Sequence, residues 1–374
     1  MKLLKTQFVI LVFQFLLGHQ FILSQVSSDC SCIGLKSVDQ VVFGRNHDAT
    51  LSNCLIVYNP RNIYKEGFEF PGENYPKWTS KYASITFNVL GVGFAVCGMN
   101  EKGLAMGHMG FNEAQYPAKD TRPVLDQIQY IAYLLDNCSN NSEVVKTTKE
   151  IRISVESTTK EHYFVCDKSG QLAIIEFING VFILYTNKTM PFPILSNDNY
   201  NESIGYLKKY KGFGGSQPVP ERNFGVEEIM AIGCNFINNF NNKKIINVID
   251  SAFDLLNDIG FNNYPPPDSL KISKEYGTQF STVFDLKNLK VFFRTKSNPE
   301  IRTIDFNFFN PECIGSMKMV EAEKTSKGNI NALLTTYSLA KNSEYVNNRF
   351  KKIDGMSKEV IDFLATYPET YKCK

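Results

Sequence analysis

Residues 30–48 read CSCIGLKSVDQVVFGRNHD. Ile33 and Leu35 lead toward a turn at Asp39-Gln40, and Val41, Val42 and Phe43 lead away from it. Alternating apolar residues around a polar turn predict a strand–turn–strand unit. Such a hairpin carries Cys30 at its head and returns Arg45 and Asp48 beside it. If the residues ahead of Cys30 are removed, one Cα bears both a thiol and a free α-amine. An unperturbed thiol ionises at about 8.5, and an α-amine titrates at about 7.7–8.0. The amine is therefore suited to take the thiol proton near neutrality without a histidine.

The residues ahead of Cys30 carry the pattern of a removable leader. Lys2 and Lys5 precede an apolar run over residues 8–17 that only Gln14 breaks. Ser24, Gln25, Ser27 and Ser28 follow, small or polar. A basic start, a short apolar core and a small-residue exit define a secretory signal peptide. The run is short for a bilayer span. The expected organisation is a signal peptide over residues 1–24, a short propeptide over 25–29 and one domain over 30–374. Asp29 is a poor last residue for signal peptidase, so a second cut is expected to expose Cys30.

Composition excludes several function classes. Hydrophobic residues make up 43% of the chain, enough for a large core. A formal charge of +2, with no basic patch interleaved with aromatics, gives no basis for a nucleic-acid partner. The nine cysteines are spread along the chain and lack paired zinc-ligand spacing. Nine is odd, so at least one thiol is unpaired or bonds another chain. Sequons at Asn137, Asn140, Asn187 and Asn201 fit the same secreted or endolysosomal compartment.

Along the chain, hairpins alternate with helices. Strands are predicted over residues 85–90, 93–98, 104–111, 162–166, 172–178, 181–185, 278–285, 290–295 and 302–306. Asn179-Gly180 is the strongest hairpin signal among them. Helices are predicted over 123–136, with Pro123 in the first turn, and over 142–151, 226–240, 243–259 and 357–366. The Asn-rich run at residues 235–244 reads as a loop between two helices, and Pro265-Pro266-Pro267 as another loop. No linker or internal repeat divides the chain. The pattern points to antiparallel sheets flanked by helices.

Several further segments make the reading specific: GMNEKGLAMGHMGF at residues 98–111, ILSND at 194–198, ERNF at 221–224 and TQFSTVFDLKNLKVFFRT at 278–295. Together with Cys30-Ser31 and the GRNHD run, they make the chain resemble the choloylglycine hydrolase and penicillin V acylase family. These are N-terminal-nucleophile hydrolases related to acid ceramidase and N-acylethanolamine amidase. The segments occur in family order and span most of residues 30–374. The resemblance implies an α+β fold, a four-layer αββα sandwich.

It also implies roles. Cys30 is the nucleophile, Arg45 lies beside its thiol and Asp48 holds the α-amine. Asn197 matches the asparagine whose side chain helps form the oxyanion hole. Gly110 matches the position whose backbone N–H is the second donor, although many relatives carry Asn or Tyr there. Arg222 matches the arginine of an Arg-Phe segment, with Asn223 inserted before Phe224 here. The implied reaction is cleavage of a linear amide C–N bond in a small N-acyl substrate through a thioester. It needs no organic cofactor and no metal. No stable membrane insertion is expected after leader removal, and a homo-oligomer is compatible with the reading.

Other readings remain at this point. Cys32 rivals Cys30 as nucleophile. A Cys–His hydrolase would use His47, His108 or His162, although His47 falls where the family motif carries a variable residue. An acyltransferase would pass the same acyl group to an amine. A non-catalytic binding protein would keep the fold and retain residues ahead of Cys30.

Overall fold

The computed structural model describes residues 30–51, 53–157, 159–223, 225–241, 247–261, 276–351 and 356–374. The leader, the propeptide, Phe224, the 265–267 proline run and the start of the 243–259 helix lie outside them. Two large sheets stack face to face. Their strands, in chain order, are β1 (Ser31–Lys36), β2 (Val41–Ala49), β3 (Leu55–Asn59), β4 (Ser84–Asn88), β5 (Ala95–Asn100), β6 (Leu104–Gly110), β7 (Glu161–Asp167) and β8 (Leu172–Ile178). They continue as β9 (Val181–Thr186), β10 (Ile194–Leu195), β11 (Gly277–Asp285), β12 (Lys290–Thr295), β13 (Asn298–Asp305), β14 (Lys318–Glu321), β15 (Gly328–Asn329) and β16 (Thr335–Thr336). The first sheet runs β10-β1-β2-β11-β12-β13-β15, and the second β9-β8-β7-β6-β5-β4-β3-β14-β16.

Aromatic side chains fill the space between the sheets. Phe43 on β2 meets Phe164 on β7 with ring centroids 5.9 Å apart, and Phe87 on β4 stacks on Phe280 of β11 at 5.8 Å. Such large rings suit an inter-sheet layer because each buries much apolar surface at little entropic cost. Helices cover the outer faces. Helices α1 (Gln127–Asn137) and α2 (Asn141–Glu150) cover one region of the second sheet, and α6 (Leu339–Phe350) and α7 (Lys358–Thr366) another. The short α3 (Tyr200–Tyr206) packs on α4 (Val226–Asn241), which with α5 (Val248–Asp258) covers the first sheet. The result is the αββα sandwich.

Local chemistry explains where the elements begin and end. The β1–β2 hairpin forms with Lys36 opposite Val41 and Ser37 N–H donating to Gln40 O at 2.9 Å. At the β8–β9 turn, Asn179 and Gly180 both take positive φ, 53° and 75°, as a two-residue primed turn requires. Two expectations are corrected. Pro123 does not open a helix. Val124–Leu125 first pairs with Arg152–Ile153, and Asp126 then caps α1 by accepting from Ile128 N–H at 3.2 Å. The Asn-rich run is not a loop up to Asn241, because α4 continues through it and buries Ile237 and Phe240.

A buried ion pair fastens the periphery. Lys65, on the short strand Ile63–Glu66, reaches Asp136 of α1 at 2.8 Å, and Trp78 Nε1–H donates to the same Asp136 oxygen at 2.7 Å. Both members of the pair are almost wholly buried. Asp136→Asn strands the Lys65 charge, so it should destabilise the fold by about 3–5 kcal/mol in urea unfolding. Cys313–Cys373 is a disulfide, and the other seven cysteines are buried and in no disulfide.

Candidate active site

Strand alternation sorts the residues of the hairpin. Cys32 and Arg45 face the second sheet, where Gly107 of β6 leaves room for them. A Cβ at Gly107 would stand 2.9 Å from Arg45 Cδ and 3.2 Å from Cys32 Sγ. Gly44 and Asn46 face the helices instead. Gly44 accommodates Ile33 and Leu256, and Asn46 Nδ2–H donates to Leu256 O at 2.7 Å.

Cys30 stands just before β1, 1% exposed. Arg45 Nη2–H donates to its Sγ at 3.4 Å, and His47 Nδ1 lies 3.7 Å from the same sulfur. Arg45 is itself anchored, donating from Nη2 and Nε to His108 O at 2.9 and 3.3 Å. Burial opposes the guanidinium charge, but the surrounding thiols of Cys30, Cys97 and Cys32, with Asp48, raise the Arg45 pKa above its ordinary value. A fixed cation at this distance favours the thiolate of Cys30. Burial pushes the Cys32 thiol well above its ordinary value despite Arg45. Cys32 is therefore held as a packed thiol, and the geometry favours Cys30 over its rival.

Asp48 is fully buried and accepts a hydrogen bond from Thr278 Oγ1–H on β11. Thr278 Oγ1 in turn accepts from Phe261 N–H at 3.0 Å. The ladder shifts register between Thr278 and Phe280, a bulge that places Asp48 opposite Thr278 and His47 opposite Phe280.

Asn197 follows β10, the edge strand paired to β1. Its Oδ1 accepts from Cys30 N–H at 2.6 Å, and its Nδ2–H donates to Gly110 O at 2.8 Å. Gly110 ends β6. Because Phe111 N–H bonds to Lys160 O, the alternation of an antiparallel ladder turns the Gly110 N–H and C=O away from β7 and toward Asn197. Cys30, Arg45, Asn197 and Gly110 thus meet at one point, with Asp48 one ladder pair beyond. Arg222 differs. It is exposed in the loop before α4, where its buried neighbour Asn223 donates from Nδ2–H to Ile259 O at 2.8 Å.

The three histidines have separate surroundings. His47 occupies the variable position of the motif. It lies in contact with Sγ and stacks on Phe280 with ring centroids 4.8 Å apart. His162 supports Asn197 from behind: its Nε2–H donates to Ser196 O at 2.6 Å, and Nδ1 faces Glu176 Oε1 at 3.0 Å. Glu176 also accepts from Tyr200 N–H at 2.9 Å, which fixes the turn that carries Asn197. Glu176 escaped the sequence reading, and His162 entered it only as a rival base, because a polar residue on a strand gives no sign of facing inward.

His108 faces Glu161 Oε1 at 3.2 Å. Burial raises the Glu161 carboxyl to about 8, and burial followed by Arg45 holds the His108 imidazole well below its ordinary value. The native state therefore prefers the protonated acid. This contribution to stability is full below the ordinary carboxylate pKa and is lost as pH rises through that window to about 8. The Glu161 contribution to the melting temperature should be lost between about pH 5 and about pH 8, so Glu161→Gln, compared with wild type across that range, should remove this part of the pH dependence.

A two-sheet αββα sandwich with a cysteine at the head of its central hairpin, on which arginine and asparagine converge, is the fold of the N-terminal-nucleophile hydrolases. A sequence model of the linear amide C–N hydrolases, choloylglycine hydrolase family, matches residues 30–233, beginning at Cys30 itself. The chain belongs to the choloylglycine hydrolase family, whose members hydrolyse C–N bonds other than peptide bonds. It is 25% identical over 293 residues to penicillin V acylase of Pectobacterium atrosepticum, covering 70% of this chain and 75% of that one. Solved structures agree on the fold. Penicillin V acylase from Agrobacterium tumefaciens matches with a TM-score of 0.68 at 22% identity, over 83% of this chain and 98% of that one. A mutant conjugated bile acid hydrolase from Clostridium perfringens matches with a TM-score of 0.64 at 19% identity, over 81% of this chain and 99% of that one.

Proposed function

We propose that this chain matures into a secreted or endolysosomal cysteine hydrolase that cleaves small N-acyl amides through a thioester on Cys30. The observation that carries the reading is the convergence of Arg45 on Sγ and of Asn197 on both Cys30 N–H and Gly110 O. Once residues 1–29 are gone, the Cys30 nitrogen becomes an amine. It takes the thiol proton, Arg45 favours the thiolate, and Sγ attacks the amide carbonyl. Asn197 Nδ2–H exchanges Gly110 O for the developing oxyanion, and the Gly110 N–H is the second donor. The ammonium then protonates the leaving amine, and water cleaves the thioester. Asp48 holds the amine in place.

The compartment is supported by the leader pattern and the Cys313–Cys373 disulfide. Asn187 and Asn201 are exposed sequons, the natural positions for glycans.

The substrate preference is an apolar acyl group. A panel of fatty-acyl, aryl-acetyl and steroid amides, read by amine release in the presence of EDTA, tests it. Release of amine from at least one class is expected, without sensitivity to the chelator. Transfer of the acyl group to an added amine in place of hydrolysis would make the protein an acyltransferase. Failure of both, with a free amino-terminal Cys30 shown by sequencing, would leave a binding role for the fold.

A further inference from the structure

Before the leader is removed, the Cys30 nitrogen is a peptide nitrogen joined to Asp29 and carries no basic lone pair. The amine that serves turnover in the proposed mechanism is absent at that stage. Any self-cleavage by the thiol must therefore send its proton elsewhere. Of the groups described in contact with Sγ, Arg45 can only donate. His47 Nδ1, 3.7 Å from Sγ, is able to accept.

We propose that His47 is the base of maturation, taking the Cys30 thiol proton so that Sγ attacks the carbonyl carbon of Asp29. This rests on the reading of Cys30 as the nucleophile. The step balances within the chain. The S–H proton passes to His47 Nδ1, and a C–S bond forms at the Asp29 carbonyl. The Asp29–Cys30 C–N bond breaks, and the imidazolium returns the proton to the leaving nitrogen, which becomes the α-amine. Water then hydrolyses the thioester, releasing the Asp29 carboxylic acid and restoring the thiol. Asn197 Oδ1, already on the Cys30 N–H at 2.6 Å, orients the bond that breaks.

The surroundings suit a neutral base. The imidazole is buried and stacked on Phe280 of β11, so its ring is held in one plane beside the sulfur. The charged or titratable groups acting on it are Arg45 on its own strand, Arg349 of α6 and His108 of β6. Burial first, then these three, hold it well below the ordinary histidine value, so the imidazole is uncharged at neutral pH. Its Nε2 has no hydrogen-bond partner among the described residues.

The test compares two forms of the full domain. One keeps the native residues ahead of Cys30. The other carries an enteropeptidase recognition sequence ending immediately before Cys30, so that a protease exposes the amine. Self-cleavage is followed by intact mass, and turnover by amine release. His47→Asn, which keeps a polar atom near the sulfur but no base, should slow self-cleavage by about a hundredfold. Turnover of its enteropeptidase-released form should fall less than about tenfold. His47→Ala should be slowed similarly, and added imidazole should restore much of the cleavage, a rescue that a purely structural role would not give. Cleavage of both variants at the native rate overturns the proposal. So does a His47→Ala precursor that imidazole fails to rescue although its released form is active. A wild-type precursor that stays uncut while its released form hydrolyses amides also overturns it and leaves the hydrolase reading standing. Self-cleavage through His47 without any amide turnover would do the reverse.

Discussion

Cys30→Ala should lower amide hydrolysis by about 10⁴-fold or more while the protein still folds. The expectation follows from position. Cys30 is the one thiol in contact with both Arg45 Nη2 and His47 Nδ1, at 3.4 and 3.7 Å. Arg45 cannot act for it, since a guanidinium neither attacks carbonyls nor accepts protons. Cys32 cannot replace it either, because burial holds that thiol protonated in the inter-sheet core. The substitution removes one sulfur from a site whose backbone is fixed by the β1–β2 ladder, so melting temperature should change little. Steady-state hydrolysis of the best amide from the substrate panel checks the loss. The same variant should accumulate with its leader residues attached, which intact mass would show directly.

The second large effect is expected at Asn197. Asn197→Ala should lower kcat by about a hundredfold with KM nearly unchanged, because an oxyanion donor acts on charge that exists only in the transition state. The residue can be removed without disturbing the core, since its supports lie in the backbone: Ser196 O on His162 and the β10–β1 pairing. Asn197→Asp should cost more than alanine, because it replaces the donor with a carboxylate where negative charge develops. Initial rates over a range of substrate concentrations separate kcat from KM. An Asn197→Ala enzyme that loses affinity but keeps kcat would place the asparagine in substrate binding instead.

The hairpin was legible in the sequence because period-two alternation on both sides of one polar turn allows a single register. Asn179-Gly180 was legible for a related reason, as few other residue pairs accept two positive φ values in succession. Other elements were hidden by their own contacts. Helix α6 was missed because part of its buried face is polar: Asn342 Nδ2–H donates to Ala365 O at 2.7 Å while its Oδ1 accepts from Val92 N–H at 3.0 Å. Periodicity counts such an asparagine as exposed. The Asn-rich run was read two ways, since apolar spacing carried the expected helix to residue 240 while composition suggested a loop from 235; α4 follows the spacing and buries Ile237 and Phe240. At the site, Cys30, Arg45 and Asp48 were readable as one motif because they share a hairpin. Asn197 and Gly110 were placed only through resemblance, since they meet across two sheets. His47 was set aside in the sequence reading as a variable motif position, although its period-two spacing from Arg45 puts both side chains on one face of β2.

The account stands most directly on one measurement. Mature protein is mixed with a slowly turned-over amide, quenched in acid within the burst, and examined by intact mass followed by peptide mapping. An acyl adduct should appear on the peptide that begins with Cys30, with the amine of that residue free and the thiol carrying the acyl group. An adduct on Cys32 or on any other residue, or hydrolysis with no covalent species while Cys30 is alkylated, would contradict the assignment of Cys30 as the nucleophile.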